Sequence, residues 1–250
     1  MYTGLAMADM INGLGFTVTG SERLSLYFSL VNVYTLPIMN RHECAVQVGN
    51  ILLVIGSQWS AMITLSLGFE RYLAVQYPIK YRHLKLRMFH GLLIASLVIS
   101  IISISVAIYI GIVVQRFTQA LYICTLSHAY GYEYTTFNYF ITMIGHTVGF
   151  ILNIIAFRIV RKARKKIGLF NGMLSKEYNK VKIILFVSLL SLIMIVLPNL
   201  FLYLSRFIKG GLNHRILGWT HCLFVLRSVF NLWVLGFGVT TFKTRFFEVS

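Results

Sequence analysis

Residues Gly91–Val114 read GLLIASLVISIISISVAIYIGIVV, 24 positions without one charged side chain. A membrane span needs about 20 mainly apolar residues at 1.5 Å of helical rise each, and this stretch exceeds that. Four further stretches repeat the pattern, near Ala45–Phe69, Phe137–Phe157, Ile183–Leu204 and Leu217–Val239. A weaker one opens the chain at Tyr2–Val18, extended by the interrupted apolar pattern of Leu24–Leu36. The expectation is an all-α membrane protein with six transmembrane helices.

Composition agrees. Of the 250 residues 57% are apolar and 12% charged, with a mean hydropathy of +0.75, whereas soluble domains carry about 25% charged residues. A soluble core of this size could not hide so much apolar side chain. The charge that remains is lopsided, with 23 Lys and Arg against 7 Asp and Glu for a net +16. On a soluble scaffold such a balance would suggest nucleic acid; here it points to membrane lipids and to no nucleic acid. Three cysteines without ligand spacing give neither a disulfide-rich module nor a metal site. No repeat, long linker or cleavable signal peptide is visible, so residues 1–250 read as one helical membrane domain.

The connecting segments orient it. Arg71, Lys80, Arg82, Lys85 and Arg87 fall between the second and third spans. Arg158, Arg161, Lys162, Arg164, Lys165, Lys166, Lys176, Lys180 and Lys182 fall between the fourth and fifth, and Lys243 and Arg245 follow the last. The other side carries only Arg23, Arg41, Arg116, Arg206, Lys209 and Arg215. Sixteen against six is a positive-inside bias that is expected to place both ends of the chain in the cytoplasm.

One span ends in Gly68-Phe69-Glu70-Arg71-Tyr72-Leu73-Ala74-Val75-Gln76-Tyr77-Pro78-Ile79-Lys80-Tyr81. This acid–Arg–Tyr triplet, with Pro six residues after the Tyr, resembles the E/DRY signature of rhodopsin-like (class A) G-protein-coupled receptors. Leu5-Ala6-Met7-Ala8-Asp9 resembles that family's second-helix LAxAD pattern. Cys44 and Cys124 stand where its paired outer cysteines do, Pro198 where its sixth helix is kinked, and Asn231 where its NPxxY begins. Thr241–Phe247 is similar to its membrane-surface helix. The NPxxY is degraded to Asn231-Leu232-Trp233-Val234-Leu235, and Val196 takes the place of the sixth-helix Trp. Loose motifs of this kind are most similar to the divergent nematode-type serpentine chemoreceptors.

The resemblance implies a seven-helix receptor bundle and assigns roles. Glu70, Arg71, Tyr72 and Asn231 would form the activation switch, with Arg71 freed towards a heterotrimeric G protein; Glu177 is a weak candidate partner for Arg71. Without the resemblance, Arg71 would be a snorkelling edge residue balanced by Glu70. Asp9 and, by counting back from Arg71, Ser60 occupy the positions of the family's sodium site. Arg227, one turn before Asn231, is expected to pair with Asp9 in place of the ion, since a buried carboxylate needs a partner; the alternative is that Arg227 snorkels outward. Cys44 and Cys124 would form a disulfide, and Cys222 a buried apolar filler. Ligand-lining candidates in the outer half are Asn50, Leu53, Val54 and Ser57, with Tyr203; each is equally readable as plain packing. Leu53 stands where amine receptors carry an aspartate, leaving an apolar odorant or a peptide as the extracellular ligand. Ser96, Ser100, Ser103 and Ser105 are expected to bond back to their own helix, and His90, His146 and His221 to make polar contacts rather than a metal site. No cofactor is expected.

Only eight residues precede Asp9, about 12 Å of helix, so the sequence is expected to start at or inside the second receptor helix. A misplaced start in the gene and a truncated product both remain open. The functional expectation is a ligand-activated receptor, not an enzyme, because H-E-x-x-H, G-x-S-x-G and paired intramembrane aspartates are absent. Its alternatives are a truncated non-signalling fragment and a small transporter, the latter lacking repeats and a charged path.

Overall fold

The computed structural model describes residues 2–30, 38–114, 119–121, 124–167, 172–204, 207, 219–220, 222–227 and 229–230. In chain order come α1 (Tyr2–Leu30), strand β1 (Ile38–Asn40), α2 (Arg41–Ala45), α3 (Val48–Gln76), α4 (Pro78–Tyr109), strand β2 (Gln119–Leu121), α5 (Leu126–Tyr130), α6 (Tyr132–Ile167), α7 (Gly172–Ser191) and α8 (Leu197–Leu204). Residues 219–220, 222–227 and 229–230 are helical and are called the last helix below. Two π-helical turns intervene, Ile110–Val114 after α4 and Leu192–Val196 between α7 and α8. The second lies immediately before Pro198, which has no N–H to donate and whose ring crowds the preceding turn. A widened turn accommodates both defects while the helix runs on.

Among the described residues four helical stretches are long and apolar enough to cross a membrane: Val48–Gln76, Met88–Val113, Tyr132–Ala163 and Ile184–Leu204. The six-span expectation is therefore met in four. Helix α1 spans 29 residues and is long enough, but Asp9, Asn12 and its glycines and hydroxyl residues dilute its hydropathy. The last helix is described only in part. Helices also outrun the apolar stretches that announced them: α3 continues to Gln76 and α6 to Ile167. Apolar composition marks the hydrocarbon slab, whereas backbone hydrogen bonding continues beyond it.

Helix α3 is the hub. In its apolar window 56% of residues are buried inside the protein, against 22% for α4, and its main neighbours are α6, α1 and α4. Glycine makes two of these approaches possible. A Cβ on Gly56 would stand 2.6 Å from the backbone N and Cα of Asn12 in α1, and one on Gly149 of α6 would stand 2.8 Å from the Thr64 carbonyl oxygen. In lipid, where apolar contact alone gives helices little reason to associate, close backbone approach and interhelical hydrogen bonds supply it.

Those bonds are present. Trp59 Nε1 donates to Ser96 Oγ at 3.2 Å, Gln58 Nε2 to Asn138 Oδ1 at 2.9 Å, and Asn153 Nδ2 to Ser188 Oγ at 2.8 Å. Ser96, Ser100 and Ser105 bond back to Leu93, Ser96 and Ile101 carbonyls. Ser103 departs from that pattern: its hydroxyl lies 3.0 Å from Tyr134 OH. It faces α6, so a partner across the interface is within reach.

Candidate functional site

At one end of the bundle, β1 and β2 pair antiparallel, Ile38 with Leu121 and Asn40 with Gln119. Beside them Cys44 and Cys124 are joined in a disulfide with Cα atoms 5.3 Å apart. Cys44, Ala45, Val54, Cys124, Tyr130 and Tyr134 form one buried cluster beneath. Tyr130 OH donates to the Ala45 carbonyl at 3.0 Å. Asn50 Nδ2 donates to the carbonyl oxygens of both half-cystines, Cys44 at 3.2 Å and Cys124 at 3.1 Å. Asn50 is thus occupied as a brace for the disulfide end, and Val54 is completely buried in the cluster, so packing accounts for both. Ser57 bonds back to the Val54 carbonyl at 3.1 Å. Leu53 is half-buried with its backbone against Gly15 of α1. Tyr203 stacks edge-on with Phe140 and Phe207 at 5.1 and 5.4 Å, on the α6–α8 side.

The middle of the bundle carries charge. Arg227 Nη1 of the last helix lies 3.2 Å from Asp9 Oδ1 of α1, with the two side chains 1% and 0% exposed. The contact is a buried ion pair. The close approaches of Asn12 to Gly56, Gly15 to Leu53 and Thr19 to Gly49 fix an antiparallel α1–α3 register. Continued by one turn, that register brings Asp9 level with Trp59 and Ser60. Ser60 is fully buried, and its hydroxyl has no hydrogen-bond partner among the described residues. His146 of α6 is equally buried. Neither of its ring nitrogens has a hydrogen-bond partner among the described residues, contrary to the polar contact expected of it. Cys222 is exposed rather than buried, which an apolar thiol facing lipid tolerates. Among the described residues no cluster of His, Cys, Asp and Glu could hold a metal ion.

At the far end, α3 stops at Gln76, Tyr77 alone separates it from α4, and Pro78 occupies the first turn of α4. Pro is pre-organised for that position, so α4 restarts at once and turns Tyr81 back towards α3. Tyr81 OH donates to Glu70 Oε1 at 2.5 Å. Glu70 is 7% exposed, while Arg71 and Tyr72 are half-buried. The Tyr81 contact has no counterpart in the sequence reading; the single-residue α3–α4 link beside Pro78 was its one available sign. Asn231 and Thr241–Phe247 lie outside the described residues, as does the Glu177 side chain.

A sequence model of the seven-transmembrane receptors of the rhodopsin family matches residues 2–234. No curated protein matches the chain.

Proposed function

Because the chain belongs to the rhodopsin family of seven-transmembrane receptors, a family of multi-pass membrane receptors, we propose that it binds an extracellular ligand at its disulfide end. Binding there activates a heterotrimeric G protein at its Arg71 end. The observation that carries this reading is the Glu70–Arg71–Tyr72 triplet at the terminus of the most buried helix, with Glu70 engaged by Tyr81 across the turn to α4. A carboxylate held by a neighbouring helix fixes the end of α3. Any motion that separates α3 from α4 changes what Glu70, and the Arg71 beside it, can pair with.

The ligand acts by population shift. It stabilises whichever bundle arrangement it binds better, by no more than its difference in affinity for the two. The basic segment Arg158–Lys166 faces the G protein and the anionic leaflet, in a plasma membrane with the C-terminus cytoplasmic. Glu70, Arg71 and Tyr72 are the coupling residues, and the Asp9–Arg227 pair takes the place of a bound sodium ion.

The test is nucleotide exchange on purified heterotrimeric G proteins by the protein in lipid nanodiscs. The expected result is exchange above that of empty nanodiscs, reduced about tenfold by Arg71→Gln, the middle of the range of ordinary coupling energies. Equal exchange by wild type, Arg71→Gln and empty nanodiscs across the G-protein classes contradicts the reading.

A further inference from the structure

Three residues of α1 lie seven positions apart, Asp9, Phe16 and Arg23, and seven residues are nearly two helical turns, so all three share one face. The first meets Arg227 of the last helix. The second stacks on Phe224 of the same helix, ring centroids 6.1 Å apart and planes 15° from parallel. The third stands near the disulfide end, since Thr19, one turn below it, abuts Gly49. From the mouth inwards the order is a guanidinium, an aromatic pair and a closed ion pair.

Arg23 is half-buried, and its Nε is shielded from solvent with no hydrogen-bond partner among the described residues. The whole chain has seven acids: Asp9, Glu22, Glu43, Glu70, Glu133, Glu177 and Glu248. Asp9 is taken by Arg227, Glu70 stands at the other end, and the sequence count assigns Glu177 and Glu248 to that side as well. Glu43 lies beside His42 at 3.9 Å, and Glu133 is exposed at the start of α6. By the sequence count the outer side of the membrane receives six basic residues, Arg23, Arg41, Arg116, Arg206, Lys209 and Arg215, against the acids Glu22, Glu43 and Glu133; of the six, Arg23 and Arg41 are among the described residues. His128 adds no charge there at neutral pH, because burial and then the Arg41 charge hold its pKa below the usual histidine value.

We infer that Arg23 and the Phe16–Phe224 pair form a binding site for an organic carboxylate with an apolar body, its carboxylate on Arg23 and its apolar part against the rings. The inference rests on the receptor reading for its purpose and on the α1 face for its chemistry. Side chains on a helix lean towards its N-terminus, so Arg23 leans down towards Phe16. About 10 Å of helix rise separates the two positions, a span suited to a ring joined to a carboxylate by a few methylenes. A guanidinium meets a carboxylate with paired N–H donors, and the basic excess that the sequence assigns to the outer side of the membrane draws anions in. A protonated amine would find the wrong sign.

The probe is 3-phenylpropanoate, with 3-phenylpropanol, 3-phenylpropanamide and 3-phenylpropylamine as shape-matched controls. Each is titrated against the purified protein in zwitterionic-lipid nanodiscs while thermal unfolding is followed. The expected result is a saturable rise in Tm with the acid alone, its apparent Kd at least about tenfold weaker in Arg23→Gln and partly kept in Arg23→Lys. An equal rise with the alcohol or amide overturns the proposal without any variant having to fold. So does no rise with the acid, or an undiminished one in Arg23→Gln. A rise on adding anionic phosphatidylglycerol to the nanodiscs, with none from the acid, also overturns it and assigns Arg23 to a lipid headgroup. No G protein is present, so failure here leaves nucleotide exchange to judge the receptor reading separately.

Discussion

Asp9→Asn is expected to cost the folded protein about 3–5 kcal/mol, and Asp9→Asn combined with Arg227→Met distinctly less. The pair is 3.2 Å apart and almost wholly excluded from solvent, so removing the carboxylate strands a guanidinium in the middle of the bundle. Asp9 is the acid paired with Arg227, and a guanidinium does not shed its proton in proteins. The two single variants should differ. Arg227→Met leaves a carboxyl that can protonate and become neutral, so its cost is smaller than that of Asp9→Asn. Thermal unfolding and the yield of monodisperse protein measure all three. An Asp9→Asn variant no less stable than the double variant would remove the ion pair from the account.

Cys44→Ala with Cys124→Ala is expected to lower stability by about 2–4 kcal/mol. The bridge closes a loop of 80 residues of sequence separation, for which the chain-entropy estimate is about 4.5 kcal/mol in free chain. Here the loop consists largely of α3 and α4, which are membrane-spanning, so the unbridged chain is already restrained and less than that value is realised. Asn50 also continues to donate to the carbonyl oxygens of residues 44 and 124, which are backbone atoms and survive the substitution. Adding Asn50→Leu to the double alanine variant should therefore give a further loss, about 1–3 kcal/mol for the buried carbonyls left without their donor. Unfolding temperatures of the bridged, unbridged and unbraced proteins give the comparison. An unbridged variant that unfolds with wild type would mean that the disulfide end is held entirely by other contacts.

The helices are legible in the sequence wherever the membrane dictates composition, which is why Gly91–Val114 and Ile183–Leu204 declare themselves. Helix α1 is less so: its Asp9, Asn12 and Thr19 are there to meet other helices, and what makes them useful lowers the hydropathy that would announce a span. The Asp9–Arg227 contact is legible in outline, because two opposite charges deep in apolar stretches have few other solutions. Partnerships that depend on rotation of one helix against another are not. Ser103 reads as one more back-bonding serine until its face is known, and Asn50 as a pocket residue until the half-cystine carbonyls are found on its amide. The β1–β2 pairing joins two three-residue segments about 80 residues apart, too short to leave a pattern. Tyr81 on Glu70 follows from the abruptness of the Tyr77–Pro78 turn rather than from periodicity.

Signalling as proposed requires the disulfide end and the Arg71 end to lie on opposite sides of the membrane, the latter in the cytoplasm. Short epitope tags placed in the β1 segment and after Ser250, probed with antibody on intact and on permeabilised cells, test this most directly. The account predicts that the β1 tag is stained on intact cells and the C-terminal tag only after permeabilisation. A C-terminal tag stained on intact cells, with the β1 tag hidden, would put Arg71 on the side where no G protein exists and contradict it.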